Sequence, residues 1–266
     1  MKVYISADIE GITGVTSWSE TEKGNSDYSI FVRQMEREVV AACKGALNAG
    51  AKEIWVKDAH DSARNIDPEV LPRETKLIRG WSGHPFSMIQ ELDESFDALM
   101  FIGYHACGGS NENPLSHSMN SADVNYIKIN GMYASEFLIH AYAAATKGVP
   151  VVFVSGDKGL CDEINGVNGN ISTLAVKEGI GNSTISIHND LAVELTKEKV
   201  EEILKSDLNL CQIKLPESFE VEISYSKQVK AYKASFYPDM EQIDSTAVSF
   251  KTNDYFEVLR MIAFAM

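Results

Sequence analysis

Asp8 and Glu10 stand two apart in Ser6-Ala7-Asp8-Ile9-Glu10-Gly11, directly after the apolar run Val3-Tyr4-Ile5. If that run is a strand, residues two apart point to the same side, and both carboxylates aim into the space beyond its carboxyl end. Two like charges held so close repel unless a cation lies between them or one takes a proton. A metal ion resolves the repulsion, and the chain offers further ligands in equivalent places. Ile54-Trp55-Val56 leads into Lys57-Asp58-Ala59-His60-Asp61, and Ala98-Leu99-Met100-Phe101-Ile102 delivers Gly103-Tyr104-His105-Ala106. Val151-Val152-Phe153-Val154 likewise ends in Ser155-Gly156-Asp157. Neighbouring parallel strands lie about 5 Å apart, so groups at their ends converge on one point. With Glu136 at a helix start, two ions would share Asp8, Glu10, His60, His105 and Glu136. Nitrogen and carboxylate donors without thiolate suit catalytic zinc.

The chemistry follows from that donor set. A carboxylate such as Asp8 can bridge two ions about 3.5–4 Å apart, the spacing of two-metal hydrolases. Zinc lowers the pKa of a bound water from about 15.7 to about 7 and polarises a carbonyl oxygen. Protons must still move and an oxyanion must be stabilised, and histidine suits both tasks. His117, in the Gly/Ser/Asn-rich segment from Gly108 to Asn125, is the candidate. Asp58 and Asp61 flank His60 and are expected to orient its second nitrogen.

Plainer readings stand beside these. Carboxylates at strand ends also cap helices or pair with cations. Glu136 equally fits stabilisation of a helix N-terminus, and His117 equally fits a solvated loop residue. His140, four residues beyond Glu136 on the same helix face, reads as structural because its neighbours are apolar. His84 reads as a pocket-lining residue and His188 as surface. Cys107 lacks a histidine–aspartate partner and reads as a buried, inert thiol.

The elements that must position these groups follow from periodicity. Tyr28 to Asn48 repeats with helical spacing and ends at Gly50, and the strands on either side of it make a βαβ unit and hence a parallel sheet. Thr75 to Ile78 reads as a short strand, Phe86 to Leu92 as a short helix, and Tyr126 to Ile129 as a strand closed by Asn130-Gly131. A helix from Ala134 to Lys147 stops at Gly148-Val149-Pro150. Residues 159 to 190 show only short, mixed segments. Thr196 to Lys205 reads as a charged helix. Phe219 to Ile223 and Lys227 to Tyr232 alternate like half-exposed strands, and Tyr255 to Ala265 closes the chain as an apolar helix. The expected fold is α/β, an open and mostly parallel sheet with flanking helices. The expected division is a core over 1–212 and a smaller α+β portion over 213–266, the two packed together or continuous.

The totals bound the function. A chain of 266 residues buries roughly 75% of its unfolded surface and needs no staples. A net charge of −14 leaves no basic stripe for phosphates, so nucleic acid is not an expected partner. Cys43, Cys107, Cys161 and Cys211 are scattered without a CxxC pair, which reads as reduced, intracellular thiols. The N-terminus lacks a basic segment followed by an apolar stretch, and no apolar run approaches the roughly 18 residues of a membrane span. A cytoplasmic protein without a membrane partner is expected.

Ser6-x-Asp8-x-Glu10-Gly11 resembles the SxDxEG signature of the zinc D-aminopeptidases of the DppA type. Asp58-Ala59-His60, Gly103-Tyr104-His105-Ala106, Ser116-His117 and Ser135-Glu136 fall in the order of that family's later motifs. The likeness runs to about residue 165 and weakens afterwards. It implies a dinuclear zinc aminopeptidase that removes the N-terminal residue of short peptides, in some members a D-amino acid. By analogy Asp8 bridges two Zn2+ ions, Glu10 and His60 complete one site, His105 and Glu136 the other, and His117 serves catalysis. The family resemblance also implies a homo-oligomer, a decamer of two pentameric rings. Lys57 stands where asparagine is common in the family, and Ser135 where glycine often precedes the glutamate. Beside the peptidase stand two alternatives: a magnesium-dependent phosphohydrolase, and a non-catalytic metal-containing binding protein. Two histidine ligands and the lack of a phosphate-cradling loop weigh against magnesium.

Overall fold

Six strands alternate with helices and loops to build the main sheet before its edge is closed. The computed structural model describes all residues, Met1–Met266. In chain order the elements are β1 (Lys2–Ala7), α1 (Tyr28–Asn48), β2 (Glu53–Asp58), β3 (Thr75–Ile78), β4 (Ala98–Tyr104), β5 (Val124–Ile129), β6 (Met132–Tyr133), α2 (Glu136–Ala145) and β7 (Val151–Asp157). They continue with α3 (Lys158–Val167), β8 (Ser172–Ile180), β9 (Ser183–Ser186), α4 (Asn189–Ile203), β10 (Phe219–Tyr225), α5 (Gln228–Ala234), β11 (Met240–Gln242), β12 (Ala247–Thr252) and α6 (Tyr255–Ala265).

The main sheet has the order β3-β2-β1-β4-β7-β8-β9. Every pair is parallel except β8 with β9. The central strands β4 and β7 are buried along their whole length, as parallel strands covered on both faces must be. From β1 the chain steps outward to β2 and β3, then returns to place β4 on the other side of β1. That reversal opens a crevice between the carboxyl ends of β1 and β4, the position where open α/β sheets bind ligands. A second, wholly antiparallel sheet has the order β11-β12-β10-β5-β6. Helix α1 packs on α4, and α2 packs on β4 and against α6. No helix is long and apolar enough to cross a membrane.

The α/β expectation holds, and its departures are local. Residues 227–232 belong to a helix rather than a strand, with extended Lys227 as the cap of α5. Val229 and Tyr232, which carried the apparent alternation, lie on the exposed side of α5, and Ala231 and Ala234 at helical spacing face inward. Phe86 to Leu92 shrinks to one 3-10 turn at Ser87–Ile89, flanked by Glu91 at φ +67. The charged helix begins earlier than expected, at Asn189, where His188 caps it. The segment from 159 to 190 resolves into α3, β8 and β9, whose glycines and asparagines mask the periodicity.

Candidate metal centre

Main-chain hydrogen bonds bind the strand ends together before any side chain acts. Asp8 N–H donates to Ile102 O at 2.9 Å, Gly11 N–H to Gly103 O at 2.8 Å, and Ala59 N–H to Ala7 O at 2.8 Å. The ends of β2, β1 and β4 are thereby locked in register, which fixes His60, Asp8 and His105 relative to one another. Only glycine fits where the chain crosses β4. A Cβ on Gly11 would lie 1.7 Å from the Tyr104 carbonyl oxygen, and one on Gly103 would lie 2.3 Å from the Asp8 carbonyl oxygen. The glycine of the SxDxEG motif is therefore a packing requirement of the crevice.

Two groups of ligand-capable atoms meet there: Asp8, Glu10 and His60 in one, and His105, His117 and Glu136 in the other, each within 4.8 Å. His60 Nδ1 lies 3.2 Å from Asp8 Oδ1 and 3.1 Å from Glu10 Oε2. His105 Nε2 lies 3.6 Å from Asp8 Oδ2 and 3.5 Å from Glu136 Oε2. His117 Nε2 lies 3.4 Å from Glu136 Oε1. Asp8 thus turns one oxygen to each group. Apart from His117, which is slightly exposed, all of these side chains are buried.

Each imidazole is oriented by a main-chain carbonyl. His60 Nε2 pairs with Thr21 O at 3.0 Å, His105 Nδ1 with Ala106 O at 2.9 Å, and His117 Nδ1 with Leu115 O at 2.9 Å. A carbonyl only accepts, so the anchored nitrogen carries the proton, and the other nitrogen of a neutral ring presents its lone pair to the carboxylates. Lone pairs facing carboxylates are mutually unfavourable unless a cation or protons intervene. His105 Nε2 and Glu10 Oε2 are indeed buried without a hydrogen-bond partner. Inward-facing imidazole and carboxylate donors, free of thiolate and left unpaired in the interior, fit zinc.

The electrostatics carry the same imprint. Burial and the neighbouring Glu10 push the Asp8 carboxyl well above the usual carboxylate range. Burial also disfavours ionised Glu10 and Glu136, yet the imidazoles overcome it and hold both carboxyls low, Glu136 at about 2. Burial disfavours a charged His105, but Glu136 and Asp8 raise it to about 10, and Glu10 and Asp8 raise His60 in the same way. Without an ion, protons take up the negative charge of the cage.

The expected ligands therefore come together, with three differences in their surroundings. Asp157 stays outside, capping α3 through Leu160 N–H and accepting from Ala106 N–H and Asn113 Nδ2. Asp58 and Asp61 do not orient His60. Asp58 instead accepts from the main-chain N–H groups of Asn65 and Ile66, because it ends β2 pointing away from the crevice. His140 is buried, as its apolar setting implies, and His84 lines a neighbouring cavity rather than this one. Cys107 is buried, and burial pushes its thiol up to about 12.

Several participants carried no sequence signal. Buried Lys177 of β8 donates to Glu10 O and, at 2.6 Å, to Val15 O, tying down the loop that bears Asp8 and Glu10. Trp18 and Trp81 flank a cavity of about 470 Å³ over Asp8, Glu10, His60 and Glu136, closed further by Glu22, Asp61, Met119 and Asn120. Trp18 meets the His117 ring edge-on at 5.4 Å, and His117 stacks on His105 at 4.3 Å. The two family departures also find their places. Lys57 Nζ donates to Asp58 O and Gly80 O and sits 3.9 Å from the centre of the Trp81 ring. Ser135 caps α2 through Leu138 N–H.

Comparison with known proteins agrees with the motif order. The family profile of the peptidase M55 group, described as D-aminopeptidase, matches residues 1–264. A D-aminopeptidase of Bacillus subtilis (strain 168) is 31% identical over 259 residues, covering 97% of this chain and 93% of its own. The solved structure of the Zn-dependent D-aminopeptidase DppA from Bacillus subtilis, described as a self-compartmentalizing protease, matches with a TM-score of 0.92 at 29% identity, over 100% of this chain and 96% of that one. With the profile spanning nearly the whole chain, this protein belongs to the peptidase M55 family of D-aminopeptidases.

Proposed function

We propose that this protein is a dinuclear zinc aminopeptidase acting on the N-terminal peptide bond of short peptides, including those that begin with a D-residue. The observation that carries the reading is the Asp8 carboxylate, with one oxygen facing His60 and the other facing His105. Asp8, Glu10 and His60 would hold one zinc, and Asp8, His105 and Glu136 the other. When bound, zinc supplies an acidified water near neutral pH and a Lewis acid for the scissile carbonyl.

The chain's own residues do the rest. The carbonyls of Thr21, Ala106 and Leu115 keep the three imidazoles in one tautomer and one orientation. His117, at the wall of the cavity, takes or gives a proton at Nε2 and donates toward the developing oxyanion. Glu22 and Asp61 line the His60 end of the cavity and offer negative charge to a peptide's ammonium group. Trp18 and Trp81 narrow access for water and bulk. A second reading of His117, as a third ligand beside His105 and Glu136, draws on their mutual approach within 4.8 Å.

Oligomerisation is part of the reading. The DppA relative is described as self-compartmentalizing, and Phe236 and Phe264 here are more than 70% exposed. A homo-oligomer, a decamer of two pentameric rings by family resemblance, would cover such surface. Four buried free cysteines suit a reducing cytoplasm. The test is elemental analysis together with chelation. Two zinc per chain are expected, with hydrolysis of D- or L-aminoacyl amides lost on chelation and restored by zinc. Activity indifferent to chelator would overturn the proposal.

A further inference from the structure

A second cavity of about 330 Å³ opens beside the metal centre. Its walls mix apolar residues at the end of the chain, Leu259, Ile262, Ala263 and Met266, with Asn120 and with His140 of α2. The cavity adjoins the first one, since Trp81, Ser87, Met119 and Asn120 line both. One polar group in it is unexplained by the fold. His140 is 1% exposed, its Nδ1 lies 2.7 Å from Glu136 O, and its Nε2 has no partner. The carbonyl can only accept, so Nδ1 carries the proton, and Nε2 of the neutral ring presents its lone pair. Nε2 is thus a buried acceptor without a partner at the cavity wall, and an unmade hydrogen bond of that kind is costly unless a ligand completes it.

The two cavities differ in a way that gives a bound peptide its direction. Glu22 and Asp61 stand at the His60 end of the first, and an N-terminal ammonium group belongs there. Met119, whose N–H donates to Glu136 Oε1 at 2.7 Å, stands on the Glu136 side of the ligand-capable groups and is one of the residues shared with the second cavity. A peptide laid with its ammonium on the acidic end and its first carbonyl over the ligands therefore leads its next residue toward Met119 and His140. We propose that the second cavity receives the side chain of the residue following the scissile bond, and that His140 Nε2 accepts a hydrogen bond from it. The favoured residue is apolar in body and ends in a hydroxyl or N–H donor. This assignment rests on the aminopeptidase reading, since it takes the scissile bond to lie over the ligands.

The test uses dipeptides that share an alanine first residue, prepared in both D and L forms, with glycine, phenylalanine or tyrosine second. Turnover is measured on the zinc-loaded protein, and binding of the corresponding reduced-bond analogues is measured by calorimetry. Tyrosine should exceed phenylalanine roughly 2- to 10-fold, the worth of one net hydrogen bond, and both should exceed glycine. His140→Phe should bring the tyrosine-to-phenylalanine ratio to about one. Ala263→Phe, at an exposed position on the rim, should lower both aromatic peptides relative to glycine by roughly 10-fold, the cost of overfilling a packed space. If His140→Phe does not fold, the Ala263→Phe ratios decide alone. Turnover with ratios indifferent to the second residue, or unchanged in Ala263→Phe, overturns the pocket and leaves the peptidase standing. Analogue binding with the expected ratios but no turnover keeps the pocket and overturns the peptidase. Neither binding nor turnover overturns both.

Discussion

Replacing Gly11 with alanine tests whether the crossing of the first strand end over β4 sets the metal geometry. The added Cβ would sit 1.7 Å from the Tyr104 carbonyl oxygen and 2.5 Å from its carbon, both main-chain atoms that cannot rotate away. Restoring ordinary contact at roughly 3.5–4.0 Å requires the two segments to part by about 2 Å. The Gly11 to Gly103 hydrogen bond of 2.8 Å would go with it. Glu10 would move away from His60, and Asp8 from His105. Metal sites tolerate about 0.2 Å in ligand distance, so zinc affinity should fall by roughly 10- to 100-fold, as when a ligand loses its support. Turnover should fall about 100-fold, the effect of a misplacement near 1 Å, and stability by roughly 1–3 kcal/mol. Zinc competition against a chelator of known affinity, with circular dichroism to establish folding, measures all but the turnover. Gly166→Ala is the control, since nothing lies within 4 Å of its added methyl; it should leave zinc binding alone. A folded Gly11→Ala protein that holds two zinc ions with unchanged affinity would refute the reasoning.

His117→Ala should keep two zinc ions and lose roughly 100- to 10,000-fold in turnover. A fall to one ion would make His117 a ligand, and full activity would remove it from the site. Zinc uptake should release protons near neutral pH, because His60, His105 and Asp8 are all pushed up in the ion-free cage; a pH-stat titration showing none would contradict ligation by these groups. Glu163, pushed up to about 7 by burial from an ordinary 4.5, binds its proton in the fold over a range where the unfolded chain has lost it. Stability should therefore fall as pH rises from about 4.5 to 7, by up to ~3 kcal/mol from this group. Glu163→Gln should flatten that part of the slope in urea midpoints taken at pH 5 and 8 on the zinc-loaded protein, and equal slopes in the two proteins would rule it out.

The proposed ligand set is legible because its signal is local: an apolar run followed at once by a carboxylate or histidine, repeated along the chain. Asp8, Glu10, His60 and His105 each follow a strand of the main sheet, and Glu136 opens a helix whose cap and stop are written in Ser135 and Gly148. Asp157 obeys the same rule and was misleading, since a carboxylate at a strand end caps the next helix equally well. What sequence could not supply was contact across distance. Lys177 reaches Glu10 from 167 positions away, and the carbonyls of Thr21 and Leu115 bear no side-chain signature. The error at 227–232 has a related origin, for alternation over six residues matches a strand and an exposed helix face alike.

The anchors of the imidazoles have a bearing on how this site can diverge. Thr21, Ala106 and Leu115 hold the rings through carbonyl oxygens, not through side chains. Many metal-bound histidines rely instead on a carboxylate, which one substitution can delete. Here the orienting groups belong to the backbone and survive replacement of the residues that bear them, provided the loops keep their course. Inherited change can therefore rework the pocket walls around Trp18, Trp81 and Met119 while the tautomers beneath stay set. Substrate preference and metal chemistry are separable in heredity, and variants that alter the first need not endanger the second.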